Sequence, residues 1–344
     1  MNAGFETVEA ALDVPFTIAR GTTETTENAV VWIDADGERG YGAAAPSPHY
    51  GETIRTVEAV LPDLLGVVET ATDLHARRAI ADRLRGVVRD NPAARAAVDI
   101  ALWDLAGKRL DEPVYRLLGL DPDPESLPAT SVTIGLDDTD AMADRAAEAT
   151  AAGYPILKVK LGTDRDLDIV EAIRAAAPEA TIRVDANEAW GPKEAVRNCR
   201  ALDAYGVEFV EQPVPAEDPE GLRHVYRRSP LPIAADESCR TAADVPAVAD
   251  RCDIVNLKLM KAGGLTPAIE LIDTARAHGV DVMCGCMLET NAAISAAAHL
   301  LPLLDYADLD GSLLLADDPY AGVPVESGRF DIGAVEAGTG ARPQ

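Results

Sequence analysis

From about residue 131 the chain repeats one unit: a short strand-like run, a turn, and a helical stretch. The strand-like runs fall at 131–135, 156–162, 181–187, 207–213, 232–238, 253–259, 280–286 and 305–311. Ala- and Leu-rich stretches with helical spacing lie between several of them, at 167–177, 193–204, 266–278 and 291–301. Strands that alternate with helices pair in parallel, because each helix carries the chain back across the sheet. Eight such units predict a closed α/β barrel of the TIM type. The helix after the eighth run is expected to be missing, since Asp318-Pro319 and several glycines follow quickly.

Before residue 125 the texture changes. Residues 7–18 and 28–33 alternate like strands of an antiparallel sheet, and helical patterns follow at 52–65, 74–88 and 93–110. This reads as a separate α+β module over 1–125, joined through the Pro- and Asp-rich 120–128 to a barrel over 126–318. The segment 319–344, strand-like over 322–330, is expected to return to the first module.

The core must be built from Ala, Val, Leu and Ile, because 47% of the residues are hydrophobic yet only four are phenylalanine. A formal net charge of -27 opposes binding to nucleic acid or to an anionic membrane. The acid is dispersed and lysine is scarce, which points to a protein adapted to high salt, where screening relieves self-repulsion. No basic, apolar leader and no apolar run near ~18 residues occurs, so the protein is expected in the cytoplasm. The five cysteines show no metal-type spacing and read as reduced, small apolar residues.

Four of the six lysines sit in two short segments, 157–160 and 256–261, whereas arginine is used elsewhere. Arginine carries the same charge but is effectively never deprotonated, so retained lysines are candidates for proton transfer. A Lys-x-Lys pair on one strand face is also how a solvated edge looks. The neighbouring acids argue against that. Lys160, Asp185, Glu211, Asp236 and Lys261 follow one another at intervals of 25 or 26 residues, one barrel unit each time. All five should therefore ring the C-terminal mouth, where barrels carry their chemistry. Asp185, Glu211 and Asp236 converge as an all-oxygen site suited to a hard divalent cation such as Mg²⁺. Strands two and six lie opposite one another, so Lys160 and Lys261 should approach a substrate from opposite faces. One, as a neutral amine, removes a proton beside a carboxylate, the cation stabilises the enediolate, and the other returns a proton on the far side, inverting the centre. Lys158 has a helper role, lowering the pKa of Lys160.

At these residues the sequence resembles the enolase superfamily, and within it the muconate-lactonizing-type subgroup, over nearly the whole chain. The carrying motifs are Lys158-Val159-Lys160, Asp185-Ala186-Asn187, Glu211-Gln212-Pro213, Ala235-Asp236-Glu237-Ser238 and Lys258-Leu259-Met260-Lys261-Ala262-Gly263-Gly264. Residues 97–119 also look like that family's capping-domain helix. The resemblance implies a modified (β/α)7β barrel with an N-terminal α+β capping domain, Mg²⁺ on Asp185, Glu211 and Asp236, and Lys160 and Lys261 as the acid/base pair. Capped barrels of this family are often oligomeric, which admits a homo-oligomer.

The eighth run ends in Asp308-Leu309-Asp310-Gly311, two carboxylates on one face at the mouth. Such a pair suits an ammonium group, and it resembles the Asp-x-Asp signature of dipeptide epimerases, in which it receives the free amino terminus. The expected activity is inversion of the C-terminal residue's α-carbon in an L-Ala-L-Xaa-type dipeptide. The resemblance also implies substrate contacts at Thr133, Lys158, Cys286 and Leu288. Ala-Glu epimerases of this family tend to carry a basic residue three positions after the equivalent of Arg20. Thr23 stands there, which argues against an Ala-Glu preference. The competing readings are an o-succinylbenzoate synthase or muconate-type cycloisomerase, whose anionic substrates Asp308 and Asp310 would repel, and a catalytically silent binding homologue.

Overall fold

The computed structural model describes residues 2–344. The chain opens with an antiparallel sheet of β1 (Asn2–Ile18), β2 (Gly21–Ala35) and β3 (Glu38–Ala44). Helices α1 (Ile54–Glu69), α2 (Arg77–Val87), α3 (Pro92–Leu110) and the short α4 (Val114–Leu117) follow. The start of α1 is set by a reciprocal cap, in which Thr56 N–H donates to Thr53 Oγ1 and Thr53 N–H donates to Thr56 Oγ1. α3 is buried on nearly every side, as its Ala-rich sequence allows. Strand β3 was not anticipated, because Glu-Arg-Gly-Tyr-Gly-Ala-Ala has little strand propensity. Its glycines serve contact: a Cβ on Gly40 or Gly42 would run into the carbonyls of Ala101 or Ala97 on α3. The turn before it, Asp36-Gly37, has positive φ at both residues, the pair a tight hairpin requires.

The barrel follows as predicted. Its strands are β4 (Val132–Ile134), β5 (Ile156–Lys160), β6 (Thr181–Asp185), β7 (Val207–Glu211), β8 (Ile233–Ala235), β9 (Ile254–Lys258), β10 (Asp281–Gly285) and β11 (Tyr306–Asp308). All pair in parallel and in chain order. The ring closes where Thr130 bridges Ala307, with Ser131 N–H donating to Ala307 O at 3.3 Å. The outer helices are α5 (Thr139–Ala151), α6 (Asp166–Ala176), α7 (Pro192–Asp203), α8 (Pro219–Tyr226), α9 (Val245–Val248), α10 (Leu259–Ala262), α11 (Leu265–Ala277) and α12 (Asn291–Ala298). After β11 a single 3₁₀ turn, Gly311–Leu314, stands where an eighth helix would be.

The last residues form two minimal pairings, β12 (Tyr320–Ala321) with β15 (Arg342–Pro343), and β13 (Val325–Glu326) with β14 (Arg329–Phe330). Nearby, the N–H and hydroxyl of Thr339 both donate to Asp104 Oδ1 on α3, at 2.7 and 3.0 Å. Among the described residues no helix is long and apolar enough to cross a membrane. All five cysteines are free.

Strand alternation sorts the barrel interior into layers. A small apolar plug of Phe209, Ala234, Ile254 and Met283 is separate from the main core under the helices. Two residues further along three of those strands come Glu211, Asp236 and Asn256, and two beyond Asn256 comes Lys258. The plug is the floor of the polar mouth.

Candidate active site

The mouth is a buried network of charges. Lys158 Nζ lies 2.6 Å from Asp308 Oδ2, 2.8 Å from Glu211 Oε2 and 3.3 Å from Asp185 Oδ2. Lys160 Nζ donates to Asp185 Oδ2 at 2.6 Å, and Lys258 Nζ donates to Asp236 Oδ2 at 2.8 Å. Asn256 Nδ2 fixes Glu211 by donating to Oε1 at 2.7 Å, and Asn187 N–H donates to Asp185 Oδ1 at 2.9 Å. Each of these side chains is at least nine-tenths buried or close to it.

Burial by itself would neutralise such groups, so their charges depend on one another. Burial opposes ionisation of Asp185, but the ammonium groups of Lys160 and Lys158 hold it down at about 2. Asp236 is likewise lowered against burial, by Lys258 and Lys261. Glu211 moves the other way, raised by burial and by the charge of Asp185. Burial disfavours the ammonium of Lys158, yet Asp308, Glu211 and Asp185 keep it well above the usual lysine range.

Asp185, Glu211 and Asp236 offer only oxygen ligands. Glu211 Oε2 is buried and makes no hydrogen bond, meeting Lys158 without hydrogen-bond geometry. A buried carboxylate oxygen with no hydrogen bond, within an all-oxygen set, fits a hard divalent cation such as magnesium.

A cavity of about 740 Å³ opens above this network. Thr133, Lys158, Lys160, Cys286, Leu288, Asp308 and Asp310 all line it, so the structure brings the predicted substrate contacts together with one predicted lysine. Asp308 accepts from Ser131 Oγ and from Lys158, whereas Asp310 Oδ2 accepts from Thr133 N–H at 2.6 Å. Burial and the neighbouring Asp308 push Asp310 up to about 6.

Lys261 is the exception and requires a correction. It does not line the cavity, and its Nζ donates to Asp236 Oδ1, Asp236 O, Cys239 O and Asn256 O at 2.6 to 2.9 Å. A fully buried amine surrounded by four acceptors is committed to the protein and is not presented to the cavity. Lys258 occupies the cavity wall instead. The 25-residue interval misled because the β8–β9 unit contains only the four-residue α9. Strand register, not chain length, decides which residues reach the mouth. The alternation Ile254, Asn256, Lys258 carried that signal, whereas Lys261 falls beyond the strand, on α10.

Residues 141–343 match the family model for the enolase C-terminal domain-like fold, and residues 3–119 match that for the mandelate racemase/muconate lactonizing enzyme N-terminal domain. The chain belongs to the mandelate racemase/muconate lactonizing enzyme family. Among its relatives, the L-Ala-D/L-Glu epimerase of Bacteroides thetaiotaomicron is 39% identical over 334 residues, which span 96% of this chain and 85% of the relative. The L-Ala-D/L-Glu epimerase of Escherichia coli is 38% identical over 321 residues, 93% of this chain and 96% of the relative. A solved structure of a dipeptide epimerase from Enterococcus faecalis, complexed with Mg and the dipeptide L-Leu-L-Tyr, superposes with a TM-score of 0.92 at 35% identity and covers 98% of each chain.

In this member of the mandelate racemase/muconate lactonizing enzyme family, the cavity has a second wall, built from the N-terminal module. Phe16, Ile18, Arg20 and Thr23 from the β1–β2 hairpin line it, together with Ser47, Tyr50 and Arg55. Arg20 and Thr23, read in the sequence against the Ala-Glu epimerases, lie in this wall, and the folded cap brings it to the barrel.

Proposed function

We propose that this protein is a magnesium-dependent dipeptide epimerase, an isomerase that inverts the α-carbon of the C-terminal residue of an L-Ala-L-Xaa-type dipeptide. One observation carries the reading. Lys160 on β5 and Lys258 on β9, four strands apart in a ring of eight, line the same cavity as Asp308 and Asp310.

Amines on opposite walls give proton transfer its stereochemistry. One lysine, as a free amine, takes the α-proton from one face, and the other, as ammonium, returns a proton to the opposite face. The two lysines exchange protonation states in the process, and the substrate gains and loses one proton. Positioned acid/base groups of this kind contribute about 10²- to 10⁴-fold each. Asp185, Glu211 and Asp236 would hold the magnesium ion, which when bound supplies positive charge to offset the negative charge that accumulates on the substrate carboxylate. Asp310 and Asp308 would accept the ammonium of the first residue, and Lys158 keeps Asp308 ionised. Their negative charge also disfavours the anionic substrates of cycloisomerases. We assign Lys261 a structural role, bracing Asp236 from behind. The same proposal places the protein in the cytoplasm, acting on a free small molecule and not on nucleic acid.

The test is incubation with Mg²⁺ and a set of L,L-dipeptides in D₂O, followed by mass spectrometry and chiral analysis. Deuterium at the C-terminal residue's α-carbon with inversion, abolished by chelation, is expected. A folded, magnesium-loaded protein that exchanges no dipeptide would overturn the reading.

A further inference from the structure

The tip of the β1–β2 hairpin rests on the barrel and not on its own module. Leu136 N–H, after β4, donates to Thr17 O at 2.8 Å. Ala19 packs so closely on Gly162, after β5, that a Cβ there would come within 2.9 Å of Ala19 Cβ. Arg20 makes the remaining attachments. Its Nη1 donates to Asn187 O and to Glu188 Oε2, both at 3.1 Å, and its Nη2 donates to Glu237 Oε1 at 2.9 Å. The hairpin is thus fastened to the loops after β4, β5, β6 and β8.

The receiving groups are themselves held. Glu188 also accepts from Ala216 N–H at 2.8 Å and lies 3.2 Å from His49 Nε2. Asn187 and Glu188 have φ of 44 and 70°, a left-handed conformation that is strained for a residue carrying a Cβ. The strained turn directs Glu188 towards Arg20. Ligand atoms of His49, Glu188 and Glu237 lie within 4.8 Å of one another, a grouping that elsewhere could hold a metal ion. Here the tethered guanidinium bonds both carboxylates. A planar fork can bridge two carboxylates and a carbonyl at once, which a single ammonium cannot do as well.

What the fastening controls is the cavity. Phe16 and Thr23 pair across the hairpin, Ile18 pairs with Gly21 at its end, and Phe16, Ile18 and Thr23 all line the cavity. We propose that Arg20 is a positioning residue: its grip on Glu188 and Glu237 holds the hairpin closed over the barrel mouth and so sets the wall that faces the substrate's side chain, without reaching the reacting atoms. Only the kinetic part of the test rests on the epimerase reading.

The experiment compares Arg20→Met, Arg20→Lys, Glu188→Gln and the Arg20→Met/Glu188→Gln double variant by hydrogen–deuterium exchange and by epimerisation kinetics. In Arg20→Met, amide exchange across residues 15–25 should rise about 10-fold or more while the barrel strands stay protected. KM should rise about 10-fold with kcat within roughly 3-fold of the parent, as expected when a binding wall is loosened and the chemical step is not. Arg20→Lys should recover part of both effects. Glu188→Gln should loosen the hairpin less, and should add little to Arg20→Met, because the two share one contact. Unchanged exchange in the hairpin, or a loss of kcat at constant KM, would overturn the proposal. If the parent protein turns over no dipeptide, the epimerase reading fails while the exchange measurement still decides the role of Arg20.

Discussion

Lys258 and Lys261 hold the two oxygens of one carboxylate: Lys258 Nζ donates to Asp236 Oδ2 at 2.8 Å, and Lys261 Nζ to Asp236 Oδ1 at 2.6 Å. Lys258 does so from the cavity wall, Lys261 from a pocket of three backbone carbonyls. Two lysines three residues apart therefore have different consequences when removed.

Lys258→Ala and Lys160→Ala should each lower epimerisation by about 10³-fold or more, in the upper range for a general acid/base, with the fold intact. Each should still exchange the α-proton of the one stereoisomer that the remaining lysine faces, seen as deuterium uptake without inversion. Lys261→Met should instead lower stability by about 3–5 kcal/mol, the cost of taking a buried ammonium from one carboxylate oxygen and three carbonyls, read by urea unfolding. A stable Lys261→Met protein with lost exchange would reverse these assignments.

Asp310 is the carboxylate of its pair that no lysine contacts directly, since Lys158 bonds Asp308. Asp310→Asn should reduce kcat/KM for a free dipeptide by about 10- to 100-fold, the worth of one charge-assisted hydrogen bond. The N-acetylated dipeptide should be a poor substrate for the parent and should be affected little by the substitution. Equal sensitivity of both substrates would remove the ammonium from the model of binding.

His299 predicts a pH dependence of stability. Its ring is fully buried, Nδ1 accepts from Tyr115 N–H at 3.2 Å, and burial pushes its pKa down to about 4. An unfolded histidine titrates near ~6.5, so between those values the unfolded chain binds a proton that the folded chain refuses. The stabilisation is complete above the unfolded value and is lost as pH falls towards the folded one. At pH ~5 the loss is about 2 kcal/mol. Glu52 and Glu289, both pushed up to about 7 by burial, act in the opposite sense. The informative quantity is therefore the difference between the parent and His299→Gln in urea unfolding at pH ~7 and ~5. A His299→Gln protein with the parent's full pH dependence would discard the assignment.

The net charge of -27 makes a simpler prediction. Raising KCl from about 0.1 to 2 M shortens the screening length from ~10 Å to below ~3 Å and should raise Tm by several degrees. Potassium chloride is the salt to use, because sulfate strengthens apolar burial in any protein. A flat or falling Tm would mean that self-repulsion is not the dominant surface term.

Legibility in the sequence followed the strength of the local signal. All eight barrel strands announced themselves through apolar runs bounded by turns, and Asp185, Glu211, Lys160 and Lys158 lie where strand endings put them. Asp308 and Asp310 could be placed for the same reason. Lys261 lies outside the cavity because loop length does not measure position around the ring. β3 is hidden because its glycines are chosen for contact with α3, and the partners of Arg20 are hidden because they lie more than 160 residues away. Tertiary contact of that range leaves no local periodicity to read.

The cavity is assembled from two sources that are far apart in the chain. Its inner wall comes from β5, β9 and the end of β11, and its outer wall from the β1–β2 hairpin and the residues leading into α1. Changes to the outer wall can therefore reshape the space offered to a side chain without moving a lysine or a carboxylate of the inner one. A duplicated gene could drift in its opening stretch towards a new clientele of substrates while inheriting its chemistry unaltered.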